Sequence, residues 1–280
     1  MARPAVSVVV PTQGRADYLE VTLASLARQE LSDPFEVVVV ADGARDTTPD
    51  VARRAGARLV SHAAPRGPNA ARNTGTEAAE ADLVALVDDD VEAPPGWLGA
   101  LLEGARRHPR AEAFGGPIRA RLEGHAPRSC GRESPPITTL DLGPHDREAP
   151  LVWSANMLVR RSALERVGPF DPSLPTGGDE EEWLRRLRAE GGRVVYLADA
   201  ALDHRRAGGD ARLAGLLRGA YHRGRNLRAH DRRLGYAPSV ARESRTLVGC
   251  GWHTLRRRCP QGLVMGAHSA GRLAAALRER

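Results

Sequence analysis

Apolar residues gather along this chain in short uninterrupted runs that alternate with stretches of helical spacing. Val6-Ser7-Val8-Val9-Val10 is a β-branched run closed by Pro11, and Phe35 to Ala41 and Leu83-Val84-Ala85-Leu86-Val87 are apolar runs of the same kind. Such runs, without strict alternation, predict strands buried on both faces. Between them Tyr18, Leu19, Leu23 and Leu26 recur at the period of a helix, Thr48 to Ala55 opens on an N-capping residue type, and Asn69 to Ala79 is rich in alanine. Arg58 to Ser61 predicts a short third strand. Strands alternating with helices predict an α/β fold with a mainly parallel sheet flanked by helices. Right-handed crossovers then carry the carboxyl ends of the strands to one rim, where open sheets of this type bind their ligands.

The predicted strands end in polar residues. Thr12 follows the first, Asp42-Gly43 the second, and Asp88-Asp89-Asp90 closes the run from Leu83. Carboxylate oxygens at such a rim suit Mg²⁺ or Mn²⁺, with a diphosphate as the usual second partner of the ion. The same triplet also suits an acidic turn that caps a helix. Further on, a helix is expected from Pro94-Pro95-Gly96-Trp97 to about His108, then a strand at Ala113 to Gly116. Arg119 to Pro150 is rich in Pro, Gly and charge and predicts a long, partly mobile loop. Leu151 to Val159 is β-leaning, with a polar Asn156 that needs partners and a Trp153 that offers a flat apolar face. Gly177-Gly178-Asp179-Glu180-Glu181-Glu182-Trp183 begins a helix on which Trp183, Leu184 and Leu187 form an apolar stripe. Short strands at Val194 to Leu197 and Ala200 to Leu202 precede Asp203-His204-Arg205-Arg206.

Composition narrows the classes. With 280 residues, 41% hydrophobic and 27% charged, the chain has the make-up of a soluble globular protein. It has neither an apolar run that spans a bilayer nor the layout of a signal peptide, which gives a cytoplasmic expectation. Cys130, Cys250 and Cys259 fit neither a disulfide framework nor a zinc site. All 41 basic residues are arginine, and they are unevenly spread. Residues 205 to 280 hold 17 Arg against 4 acids, a balance of +13 that leaves −7 on the first 204 residues. A basic tail on an acidic body attracts anionic partners.

Four motifs then come in a telling order and spacing: Val6 to Thr12, Val39-Val40-Ala41-Asp42-Gly43, Ala71-Arg72-Asn73-Thr74-Gly75 and Leu86-Val87-Asp88-Asp89-Asp90. In this the chain resembles the family 2 glycosyltransferases to about residue 204, although Gln13-Gly14 stands where many members carry Tyr-Asn. The resemblance implies a GT-A type, Rossmann-like fold and an inverting transfer from a nucleotide diphosphate sugar, with UDP favoured. It divides the chain into a donor half over 1–110, an acceptor and catalytic half over 111–207, and a helical basic extension over 208–280. Donor contacts fall to Thr12, Arg15, Asp42, Arg72, Asp88 and Asp89. Asp90, Asp88 and His204 become the ligands of Mn²⁺ or Mg²⁺. Glu180 matches the general base by position and Asp179 by residue type, with Glu181 third. Trp153, Asn156 and Trp183 are the expected acceptor contacts, and Ser154 stands where the family carries Gly.

The tail beyond Gly208-Gly209 has a helical pattern, with Val240, Leu247, Val248, Trp252 and Leu255 expected on one face before Arg256-Arg257-Arg258. Such a helix either lies on an anionic membrane, suiting a lipid-linked acceptor, or packs against the catalytic domain or a second subunit as a homodimer. Glycans and natural-product scaffolds are the other acceptor classes. The competing readings are a sugar-nucleotide pyrophosphorylase, whose Gly-rich, Lys-containing loop is missing, and a basic binding protein for RNA or anionic surfaces. The segment lacks the interleaved aromatics of a nucleic-acid platform, so nucleic acid is not an expected partner.

Overall fold

The computed structural model describes residues 3–124, 137–174 and 179–279. Strand β1 (Val6–Thr12), helix α1 (Ala16–Ala27), β2 (Phe35–Asp42), α2 (Thr48–Arg54), β3 (Arg58–His62), α3 (Pro68–Ala78) and β4 (Leu83–Leu86) carry out the expected alternation. They are followed by β5 (Val91–Glu92), α4 (Trp97–Arg107), β6 (Ala113–Gly115), β7 (Ile118–Leu122), β8 (Arg147–Glu148), β9 (Met157–Arg160), α5 (Arg161–Val167), α6 (Asp179–Ala189), β10 (Val194–Tyr196) and β11 (Leu202–Arg206). Helices α7 (Gly208–Ala211), α8 (Leu213–Arg233), α9 (Val240–Arg257) and α10 (Pro260–Arg278) close the chain.

The main sheet has the order β3-β2-β1-β4-β9-β6-β10-β8. Pairing is parallel from β3 through β4 and again between β6 and β10. Strand β9 lies antiparallel between β4 and β6, and β8 is antiparallel at the edge. A smaller sheet has the order β5-β11-β7. β1 shows why continuous apolar runs were needed. Val6, Val8 and Val10 face one core with Leu19, Leu23 and Leu26 of α1, while Val9 faces the other with Ala71 of α3. The approach of α3 to the sheet depends on Gly75, because a Cβ there would stand 2.2 Å from Val9 Cγ1.

The chain divides into two compact units, one of Met1–Arg119, Thr139–Ser173 and Asp179–His204, the other of Ala120–Thr138, Leu174–Gly178 and Arg205–Arg280. In the second, α8 and α10 meet backbone to backbone, since a Cβ at Gly224 would come within 2.0 Å of His268 O and one at Gly271 within 2.0 Å of Tyr221 O. Arg228 pairs with Glu279 at 2.9 Å, and Arg272 with Glu243 at 2.8 Å and Asp231 at 2.7 Å. Among the described residues, no helix is long and apolar enough to cross a membrane.

The structure corrects the expectations in four places. Part of the expected 119–150 loop is ordered as β7, β8 and an isolated bridge from Ile118 to Leu140, while 125–136 lies outside the described residues. Ser154 to Asn156 forms a 3₁₀ turn, so the strand expected from Leu151 starts only at Met157. Asp203 to Arg206 belongs to β11 rather than following it. On α9, Val248, Trp252 and Leu255 are exposed whereas Val240 and Leu247 are half-buried, so the five do not share one face.

Candidate functional site

The buried β4 run gives way after Leu86 to a turn that presents Asp88, Asp89 and Asp90. Thr22 of α1 fastens this turn from below, its hydroxyl lying 2.7 Å from Asp89 O and 2.8 Å from Val91 O. The three carboxylates then have different surroundings. Asp89 is buried, accepts from Thr12 Oγ1 at 2.6 Å, and forms a fork with Arg15 through Nη2 and, at 3.2 Å, Nε. Burial pushes its carboxyl up, to about 6, against the pull of Arg15 and the Thr12 hydrogen bond. Arg15 also donates from Nη1 to Asp90 Oδ2 at 2.9 Å. Burial works to lower the Arg15 guanidinium, yet the charges of Asp90 and Asp89 raise it further above its ordinary range. Asp89 and Thr12 thus hold Arg15 and the turn in place.

His204 reaches the triplet through strand register. β11 pairs antiparallel with β5, placing His204 opposite Val91, the residue after Asp90. His204 Nε2 consequently lies 3.0 Å from Asp90 Oδ1, with both side chains buried. Asp88, Asp90 and His204 each offer one ligand atom, and these atoms lie within 4.8 Å of one another. Two carboxylate oxygens and one imidazole nitrogen make a donor set that suits a divalent metal ion. Here three expected ligands, spread over more than a hundred residues, come together.

Arg72 connects this cluster to the expected base. It is buried on α3, donates from Nη1 to Asn69 Oδ1 at 2.8 Å, and places Nη2 3.7 Å from Asp88 Oδ1 and 3.8 Å from Glu180 Oε1. The segment before α3 is fixed by Asp42, whose carboxylate accepts from Arg66 N and Gly67 N, each at 2.8 Å, and contacts His62 Nδ1 at 2.7 Å. A carboxylate has about four lone-pair sites, so three of those on Asp42 are spent on its own fold. Gly67 sits at φ 93, a left-handed angle that favours glycine, and starts α3 on the side facing Asp42.

Glu180 opens α6 and is buried. Its Oε1 accepts from Ser154 Oγ at 2.5 Å and from Ser154 N at 3.3 Å, contacts made on the 3₁₀ turn. The side chain of Asp179 lies outside the described residues. Trp153 is half-buried at the edge of the core.

Two residues expected as acceptor contacts are fully buried. Trp183 is fully buried, stacked at 5.3 Å on Phe170 with its indole N–H donating to Gly168 O at 2.9 Å. Asn156 is also fully buried, accepting from Trp97 Nε1 at 2.9 Å and donating to Ala200 O at 2.8 Å and Pro117 O at 3.1 Å. Both are core residues with satisfied polar groups. Sequence reasoning missed Thr22 and His62, single polar residues in no motif, and it noted Asn69 only as a helix start and Ser154 only as a substitution.

The Glycosyl transferase family 2 model matches residues 7–168. The chain is 34% identical to a pre-mycofactocin glycosyltransferase of Mycobacterium tuberculosis, over 71% of this chain and 43% of the relative, so it spans less than half the length of that protein. It is 30% identical to the N-acetylglucosaminyl-diphospho-decaprenol L-rhamnosyltransferase of the same organism, over 93% of this chain and 98% of that one. Its fold is similar to that of a mannosyltransferase from Pyrobaculum calidifontis in complex with GDP-Man and Mn²⁺, with a TM-score of 0.61, 21% identity, and coverage of 100% of this chain and 75% of the other.

Proposed function

This chain belongs to glycosyl transferase family 2, and from that premise we propose that it moves a sugar from a nucleotide diphosphate sugar to an acceptor hydroxyl with inversion at the anomeric carbon. The observation that carries this reading is the placement of Arg72 between Asp88 of the metal-ligating trio and Glu180. One side of that arginine holds the leaving group and the other holds the proton acceptor.

Asp88, Asp90 and His204 would hold a divalent cation, Mn²⁺ or Mg²⁺, which would supply Lewis-acid stabilisation of charge on a departing diphosphate. Arg72 presents its planar fork to a phosphate oxygen, a geometry lysine does not offer. Arg15 fixes Asp90 Oδ2, while Asp90 Oδ1 faces His204 Nε2. Glu180 takes the acceptor proton while that oxygen bonds to the anomeric carbon and the carbon's bond to the diphosphate breaks, releasing a nucleoside diphosphate. Positioning by the surrounding groups supplies much of the remaining acceleration. Ser154 holds Glu180 by two hydrogen bonds, which supports Glu180 as the base.

The nucleotide preference for UDP rests on the family resemblance, and the solved GDP-Man complex makes GDP-sugars its direct competitors. The relative matched over nearly its whole length acts, by its name, on a decaprenol-linked diphosphate sugar, which favours a lipid-linked acceptor here. A panel of UDP- and GDP-sugars, scored by protection against thermal unfolding with and without Mn²⁺, tests the donor reading. One nucleotide sugar is expected to raise Tm only when Mn²⁺ is present, and Asp90→Ala to abolish that rise. Protection that persists in Asp90→Ala would overturn the assignment of this trio to metal and donor.

A further inference from the structure

Among the described residues of the C-terminal unit, α9 is the one long helix with an apolar stripe turned outward. Val248, Trp252 and Leu255 are 72%, 65% and 77% exposed and follow one another at i, i+4 and i+7, so they lie along a single face. Exposed Arg242, Arg245 and Arg256 flank that stripe along the same helix, and Arg257 and exposed Arg258 complete a basic end. The helix contains one acid, Glu243, which is buried and paired with Arg272. Of the four acids in residues 205–280, Asp231, Glu243 and Glu279 are all engaged by Arg228 or Arg272, so the outward arginines have little local compensation.

We propose that this face of α9 docks on an anionic phospholipid bilayer, with Val248, Trp252 and Leu255 entering the interface and Arg242, Arg245 and Arg256 to Arg258 meeting phosphate headgroups. Charge decides between the occupants. A two-fold contact of α9 with a second copy would set arginines against arginines, with no exposed acid on the helix to relieve them. A bilayer with negative headgroups accepts the same pattern, and an indole with an apolar body and one N–H donor suits its boundary layer. The inference is independent of the glycosyl-transfer reading, because it requires no substrate.

Sedimentation of the full chain with phosphatidylglycerol or phosphatidylcholine vesicles, without donor or acceptor, tests it. Binding is expected to the first and not to the second. The variant V248S/W252S/L255S should lose at least tenfold in partitioning. R256Q/R257Q/R258Q should lose about a hundredfold at low salt, at roughly one headgroup attraction per arginine, and the gap should close at high salt. Circular dichroism and Tm check that both variants stay folded. As a measurement that needs no multiple variant, vesicles should blue-shift the fluorescence of the native chain, and Trp252→Phe should remove that shift. The proposal is overturned if the native chain ignores phosphatidylglycerol vesicles or if both variants still bind them. It is also overturned if the native chain is a dimer that the serine variant turns into a monomer, which would give the face to a second copy.

Discussion

At the scale of single residues, the acidic triplet is three different groups. Asp89 is a buried anchor for Arg15 and Thr12, whereas Asp88 and Asp90 meet His204. The family resemblance sets Asp88 and Asp90 apart as metal ligands, but the role of Asp89 as an anchor follows from its burial against Arg15 and Thr12. Ser154 is the clearest gain from the structure. Its hydroxyl and backbone N–H both donate to Glu180 Oε1, so Ser154 orients the proposed base. Ser154→Ala removes one hydrogen bond to a buried carboxylate, an interaction worth about 1.5–3 kcal/mol for a charged partner. We expect kcat to fall by about tenfold to a hundredfold with donor affinity unchanged, and Ser154→Thr to restore part of it. A lower Tm with unaltered kcat would mark the serine as merely structural.

At the scale of elements, the strands and helices of the first half were legible because buried parallel strands have an unmistakable composition. β1, β2 and β4 are continuous apolar runs, α1 lies where helical spacing placed it, and α3 lies where alanine content placed it. The second half was less legible for a physical reason. Leu151 to Asn156 is apolar because it is buried, and burial alone does not distinguish a strand from the turn found there. Trp183 and Asn156 show the same limit, since an aromatic ring or an amide in a motif reads alike whether it faces a sugar or the core. α3 is held against the sheet by Gly75, so Gly75→Ala should overpack Val9 and cost about 1–3 kcal/mol, read as a lower urea midpoint. An unchanged midpoint would mean that α3 can shift without penalty. Asp146 ties α4 to the chain before β11 by accepting from Arg107 at 2.7 Å and Ala198 N at 3.0 Å and contacting His108 at 3.0 Å. Burial works to raise its carboxyl, but these hydrogen bonds outweigh that and hold it below the ordinary range. A depressed native value contributes stability that is present above the unfolded value of about 4 and is lost as pH falls through the native one. Asp146→Asn should therefore flatten the acid limb of stability against pH, and an identical limb would show that Asp146 contributes nothing to it.

At the scale of the molecule, a site is assembled from residues that are remote in sequence and brought together by pairing register. β4 delivers Asp88 and Asp90, the β5 and β11 pair delivers His204, α3 delivers Arg72, and α6 delivers Glu180. The expected positions were legible through a family resemblance, but the linkage through Arg72 was not, since no spacing predicts which side chain bridges two carboxylates. This linkage is the basis for assigning the leaving group and the proton to opposite sides of one arginine. Glu180→Gln keeps the size and one hydrogen-bond acceptor of the side chain while removing its ability to take a proton. The most direct measurement is turnover of the donor identified with Mn²⁺, by transfer or by slow hydrolysis, in Glu180→Gln beside the native chain. The account predicts that kcat falls by about 10²–10⁴ while Mn²⁺-dependent thermal protection by the donor is retained. A kcat within a few fold of the native value would contradict it.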